Sequence, residues 1–434
     1  MPSPLLSPSF LLTAVFAVFL LAGLGLRLWL ASRQIRHVAR HRDAVPAAFA
    51  GRIPLAAHQK AADYTIAKTR FGLLDAALSA AVLLGWTLLG GLDALNQALL
   101  SVLGGGLVQQ LALLGAFALI SGLIDLPGTL YQTFVIEQRF GFNQMTPRLW
   151  LADLIKSTLM GAAIGLPLAA LILWLMGAAG PLWWLWAWCA WMGFNLLLMV
   201  VYPLFIAPLF NKFQPLEDES LKARVTALMQ RCGFAAKGLF VMDGSRRSAH
   251  ANAYFTGFGA AKRVVFYDTL LKQLTPGEVE AVLAHELGHF KHRHIVKRIV
   301  SLFALSLAGF ALLGWLSTQG WFYTGLGVMP NLALDGVPGA APNDALALLL
   351  FLLAVPVFTF FISPLFAQLS RRHEFEADAY AMAQASGADL AAALLKLYED
   401  NASTLTPDPV YVKFYYSHPP ATERLARMPL VPAP

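Results

Sequence analysis

Residues 275–316 read TPGEVEAVLAHELGHFKHRHIVKRIVSLFALSLAGFALLGWL, a polar helical pattern running straight into an apolar one. In the first half His285 and His289 stand four residues apart, so on an α-helix their imidazoles share one face and can converge on one metal ion. Glu286 lies beside them, in reach of a proton on a water at that metal. Thr275, Pro276 and Glu278 form a capping box with proline at the first helical position, and Leu274 with Val279 forms a hydrophobic staple. After Lys297 and Arg298 the run 299–316 carries no charge and is long enough to cross a bilayer. A metal-binding helix joined directly to a membrane span organises the chain.

The apolar character continues outward. Of 434 residues, 57% are hydrophobic and 13% charged, too apolar for a soluble protein of this size. Six further stretches are long enough to span: 10–30, 73–92, 107–126, 159–176, 182–206 and 346–365. The sequence therefore predicts an all-α polytopic membrane protein of seven transmembrane helices with an α+β domain that carries the histidine motif. Residues 1–210 form an N-terminal membrane domain of five spans. Residues 211–434 form the domain of the histidine motif and carry the last two, about 299–316 and 346–365.

Charge placement orients the spans. The loop after the first carries Arg33, Arg36, Arg40, Arg42, Arg52, Lys60, Lys68 and Arg70 against Asp43 and Asp63. The loops after spans two, four and six hold only Asp93, Asp335 and Asp344. The positive-inside rule puts the N-terminus outside and the histidine motif in the cytoplasm. The composition suits a bacterial inner membrane with a periplasmic N-terminus. The net charge of +7 gathers on the cytoplasmic faces and points to anionic lipid headgroups, with no nucleic-acid partner. With only Cys189 and Cys232 present, a disulfide framework is excluded.

A catalytic zinc takes three protein ligands and keeps a fourth position for water. The hairpin of spans six and seven brings its two ends together, so the helix leaving span seven can offer a carboxylate. There Glu374 and Asp378 lie one turn apart on one face, and Glu376 points elsewhere. Glu374 suits the metal, and Asp378 suits a partner that fixes the tautomer of a ligand histidine. An exposed acidic helix balancing Arg371 and Arg372 would give the same spacing. His292 and His294 read as surface residues.

These residues resemble the CAAX prenyl protease 1 family of integral-membrane zinc metallopeptidases. The resemblance rests on the runs 243–248 and 251–255, the motif 285–289, the run 371–378, and 416–420 with Glu423, Arg424 and Leu425. The run 137–143 in the N-terminal half adds to it. The resemblance implies a seven-helix barrel around a water-filled chamber, with one Zn²⁺ held at its cytoplasmic end by His285, His289 and Glu374. It also implies Asn252, His418 and Arg424 around the reacting peptide bond.

The chemistry expected is hydrolysis by a zinc-activated water with Glu286 as general base. His418 is a candidate donor to the oxyanion, or else it structures the Pro419-Pro420 turn. Arg424 binds a substrate carboxylate or carbonyl, or pairs with Asp378. Residues 251–257 and 263–267 read as two strands whose edge can hold an extended substrate, with Asn252 fixing its backbone or stabilising a turn. Asp75, Asp125 and Asn195 within the spans face an interior cavity rather than lipid. Partners are then the bilayer and a peptide or protein substrate, lipidated in the family's eukaryotic members. A quality-control protease for damaged membrane proteins is a competing reading. A transporter or scaffold with structural zinc is another, although such a site has no need of Glu286.

Overall fold

The computed structural model describes residues 7–234, 238–256, 263–330 and 343–428. Each of the seven apolar stretches is helical there. In chain order, together with the histidine-motif helix, they are α1 (Pro8–Arg40), α2 (Leu55–Trp86), α3 (Leu107–Glu137), α4 (Pro147–Ala178), α5 (Gly180–Phe210), α6 (Pro276–Lys291), α7 (His294–Leu316) and α8 (Asp344–Gln384). Helices α1 and α4 begin at side-chain caps, α4 at Pro147, well before the expected start of its span at 159. Ser7 and Thr146 each accept a backbone N–H three residues on, and each is followed by proline. The expected second span ends early, because Gly90 adopts φ 80° and turns the chain away after Trp86.

Helices α1 to α5 are 31 to 33 residues long. At 1.5 Å per residue that is about 48 Å, well beyond a hydrocarbon core of about 30 Å. Their polar ends therefore stand clear of the bilayer and meet the second domain. On α1, Arg33 pairs with Asp408 at 3.0 Å, while Gln34 accepts the Asp408 backbone N–H at 2.7 Å.

The spans close into a ring, each packing against its neighbours in sequence and α8 returning to α1. That ring is hollow. A helix in a solid bundle buries a broad stripe against its neighbours. Here six of the seven apolar windows bury between 0% and 17% of their residues, and only α8 reaches 44%. Polar groups gather between α2 and α3. Asp75 and Asp125 border a cavity of about 450 Å³ with Lys68, Ser79, Thr129 and Gln132. Asn195 donates to the Trp191 carbonyl of its own helix at 2.7 Å. At the end of the ring away from the histidine motif, buried amides replace apolar packing: the Asn96 side-chain oxygen accepts from Gln109 at 2.9 Å and from Asn343 at 2.7 Å.

The second domain adds a four-stranded sheet: β1 (Phe213–Pro215), β2 (Leu239–Met242), β3 (Ala253–Thr256) and β4 (Arg263–Tyr267), in order β1-β2-β4-β3. The two strands expected from the sequence are β3 and β4, antiparallel with Ala253 opposite Phe266, and β3 is a sheet edge. Gly257 of their expected turn, and Asp335 of the loop before α8, lie outside the described residues. Val264, Val265 and Phe266 are all buried, as a central strand requires. Phe266 joins Leu221, Val225, Leu228, Leu283 and Leu287 in the core beneath α6.

Candidate metal centre

Helix α6 starts as its sequence dictates: Thr275 accepts from the Glu278 N–H, and Glu278 accepts from the Thr275 N–H at 2.7 Å. This cap begins the helix on which His285 and His289 face α8. The two helices approach closely because residue 288 is glycine. A Cβ there would lie 2.9 Å from the Ala377 Cα and 3.0 Å from its carbonyl oxygen. Such proximity lets a carboxylate on α8 reach the histidine pair.

Glu374 does so. Its Oε2 is 3.5 Å from His285 Nε2, its Oε1 is 3.4 Å from His289 Nε2, and the two Nε2 atoms are 3.2 Å apart. Zinc bonds of about 2.0–2.1 Å in a tetrahedron put neighbouring ligand atoms about 3.3 Å apart. The two imidazole nitrogens and the carboxylate oxygen nearest each are thus spaced like neighbouring ligands of such a tetrahedron, and one ligand atom from each of the three residues lies within 4.8 Å of the others. Glu374 is buried, and its Oε2 makes no hydrogen bond, although Arg424 Nη1 lies 3.7 Å away. A buried carboxylate oxygen with no hydrogen bond is costly, and a cation bound directly to it would offset that cost. Both imidazoles turn Nε2 inward and Nδ1 outward. The residues present fit a divalent metal.

Each Nδ1 has its own support. His285 Nδ1 donates to Asp378 Oδ1 at 2.8 Å, and Asp378 is held by Arg424 through Nε at 2.8 Å and Nη2 at 2.5 Å. Burial opposes charging the His285 ring, but hydrogen bonds to Asp378 and Glu374 outweigh it and push the imidazole up to about 9. The site therefore attracts positive charge. His289 Nδ1 faces His294 Nδ1 at 3.0 Å, and His294 Nε2 faces Glu376 Oε2 at 2.8 Å. His294 was expected at the surface. Instead His294 is 4% exposed. Spacing could not reveal this, because on an unbroken helix residue 294 would lie about 140° round from residue 289.

The other expected residues fall into two groups. Glu286 is half-buried, and among the described residues its carboxylate makes no hydrogen bond or ion pair, so it is free to move a proton. His418 is 65% exposed, with Nε2 3.4 Å from Glu374 Oε1. Asn252 makes no contact with this cluster. It is exposed at the start of β3, its side-chain oxygen accepting the Ala253 N–H at 2.8 Å. Asn401 was missed: its side-chain oxygen accepts from the Ala251 N–H at 3.2 Å and contacts His250 Nδ1 at 3.0 Å, clasping the chain just before Asn252.

Residues 34–212 match the family described as CAAX prenyl protease N-terminal, five membrane helices, and residues 215–429 match Peptidase family M48. A CAAX prenyl protease 1 homolog of Arabidopsis thaliana is 36% identical over 336 residues, 77% of this chain and 74% of that protein. The chain belongs to the CAAX prenyl protease 1 family. A probable CAAX prenyl protease 1 of Schizosaccharomyces pombe is 30% identical, over 96% of this chain and 88% of its own length. The crystal structure of S. mikatae Ste24p has a TM-score of 0.88 and 31% identity, covering 96% of this chain and 98% of that one. This CAAX prenyl protease 1 family member is thus a multi-pass membrane zinc metalloprotease with a barrel-like fold. Within the family fold, the His285–His289–Glu374 cluster is the group of metal-binding geometry among the described residues.

Proposed function

We propose that this protein is an endopeptidase in which His285, His289 and Glu374 hold one zinc ion, cutting peptides that carry a lipid and reach the site from the membrane. The observation that carries the reading is the convergence of His285, His289 and Glu374, one ligand atom from each lying within 4.8 Å of the others, at one end of a hollow ring of membrane helices. Zinc, when bound, supplies a Lewis acid that polarises the scissile carbonyl and acidifies the attacking water.

The chain's own residues do the rest. Glu286 takes the proton of the attacking water and hands it to the leaving amine. His418, exposed beside Glu374, donates to the oxyanion as it forms. The free edge of β3 holds the substrate in extended form, with the Asn252 amide on its backbone. Asp378 fixes the His285 tautomer so that Nε2 keeps its lone pair for the metal. Arg424 is a positioning residue, since two of its nitrogens are committed to Asp378. That leaves substrate contact to Asn252 and the strand edge.

The relatives named as CAAX prenyl proteases point to C-terminal CAAX peptides bearing a prenylated cysteine as the substrate class. A lipid chain attached near the scissile bond suits a site at the mouth of a membrane chamber. By the positive-inside rule the site faces the cytoplasm and the N-terminus the opposite side, a bacterial inner membrane being the proposed location. The test is hydrolysis of farnesylated and unmodified versions of one CAAX peptide by zinc-loaded wild type and Glu286→Gln. Cleavage of the farnesylated peptide by wild type, abolished in the variant at equal zinc content, is expected. Equal rates on both peptides would favour the quality-control reading, and an unimpaired variant would overturn the mechanism.

A further inference from the structure

The proposed zinc site leans on its surroundings unequally. His285 is supported by a carboxylate that is itself neutralised by Arg424. His289 is supported by another imidazole, and that imidazole by a second carboxylate. We propose that His294 is a positioning residue for the metal, fixing the His289 ring and relaying to it the negative charge of Glu376. This inference rests on the peptidase reading and extends it to a residue with no place in the ligand set.

Proton placement along the row is determined by its ends. For His289 to present the Nε2 lone pair, its proton must sit on Nδ1. His294 Nδ1, 3.0 Å away, must then accept, so its own proton sits on Nε2. That proton points at Glu376 Oε2, 2.8 Å away, which as a carboxylate can only accept. The row His289–His294–Glu376 thus has one self-consistent arrangement. It draws electron density toward the metal-facing nitrogen.

Two features show that the fold is built to hold His294 there. Arg293 adopts φ 56° and ψ 32°, a left-handed conformation that costs a non-glycine residue about 1–2 kcal/mol. This one residue breaks the helix between α6 and α7 and swings His294 back toward His289. The ring is then clamped, stacked on His373 with centroids 4.0 Å apart and planes 13° from parallel. Its neighbours Lys291, His292, Arg293, Ile295 and Val296 are all exposed, while His294 is buried. Strain at Arg293 and burial of the adjacent His294, in an otherwise exposed stretch, indicate a requirement at His294.

The test measures zinc affinity of the full-length protein in detergent by competition with a chromophoric chelator. Thermal stability of the zinc-free protein is followed in parallel. His294→Ala is expected to weaken zinc binding about 10–100-fold, the range for losing such a supporting partner. His294→Gln, whose amide can accept from His289 and donate to Glu376, is expected to recover most of the loss. Glu376→Gln keeps the hydrogen bond and loses the charge, so a smaller loss in the same direction is expected. A purely structural His294 would lower the stability of the zinc-free protein and leave the zinc constant within about threefold of wild type, and that result overturns the inference. Should wild type itself take up no stoichiometric zinc, the peptidase reading fails first, and the two failures are distinct.

Discussion

Arg424 and Asp378, 46 residues apart in sequence, meet through two hydrogen bonds of 2.8 and 2.5 Å in the interior of the protein. Asp378 Oδ1 also accepts from His285, so one carboxylate is shared between an obligate cation and a candidate metal ligand. Breaking a buried ion pair from one side leaves an uncompensated charge, at a cost of about 3–5 kcal/mol. Arg424→Met is therefore expected to lower thermal stability by that order and to weaken zinc retention. If it instead kept its melting temperature and its zinc, and only KM rose, Arg424 would be a substrate contact and not the anchor of Asp378.

Zinc binding should be strongly pH-dependent. The His285 pKa of about 9 in the metal-free protein lies above the value of about 6.5 for a free imidazole. A raised folded-state pKa gives the metal-free protein stability that is full below about pH 6.5 and lost as pH rises through about 9. Zinc must displace that proton. Its apparent affinity is expected to rise about tenfold per pH unit between roughly pH 6.5 and 8.5. Chelator competition across that range measures the slope, and a flat profile would refute the assignment of that proton to His285.

Gly288 and Gly161 separate packing from helix propensity. Both lie within long helices, but a Cβ at 288 meets Ala377 backbone at 2.9 and 3.0 Å, whereas one at 161 meets nothing within 4 Å. Gly288→Ala must push α6 from α8 and draw Glu374 off the histidines. Overpacking of this kind costs about 1–3 kcal/mol, and hydrolysis should fall with zinc content. Gly161→Ala should be neutral or stabilising by up to about 1 kcal/mol. Matching melting curves for the two variants would rule out close helix contact at 288.

The capping box of α6 can be tested apart from the chemistry. Thr275→Ala removes the acceptor for the Glu278 N–H and is expected to cost about 1 kcal/mol. Glu278 also takes Lys396 Nζ at 2.7 Å, so that acid keeps a partner and the helix should remain formed. Thermal unfolding should shift down while kcat for the farnesylated peptide stays within about twofold. A large loss of kcat would mean that the cap also sets the position of His285.

What the chain states locally, it states clearly. Seven spans follow from apolar runs, since only helices satisfy their backbone inside lipid. The start of α6 follows from Thr275, Pro276 and Glu278, and the His285–His289 pair follows from helical periodicity, all short-range relations. The site residues that could be read were those a turn apart on one helix, His285 with His289 and Glu374 with Asp378, the second pair joined to the first by the hairpin of spans six and seven. Those that could not depend on breaks and approaches between helices. His294 reaches His289 only because Arg293 leaves the helical region, and Glu376 acquires a partner only because of that bend. Asn401 touches Ala251 across 150 residues, with no local pattern to announce it.

The amino-acid order alone therefore settled that the chain crosses a membrane seven times and that one helix offers two imidazoles and a free carboxylate to a single metal. Tertiary structure decided that the spans close into a hollow ring and that Glu374 comes within 3.5 Å of both histidines. It also decided which groups stand behind each imidazole. The physical reason is range: hydrogen bonds and apolar periodicity along a helix act over three or four residues. The contacts that complete this site join residues 5 to 139 positions apart, and only the packed fold brings them together.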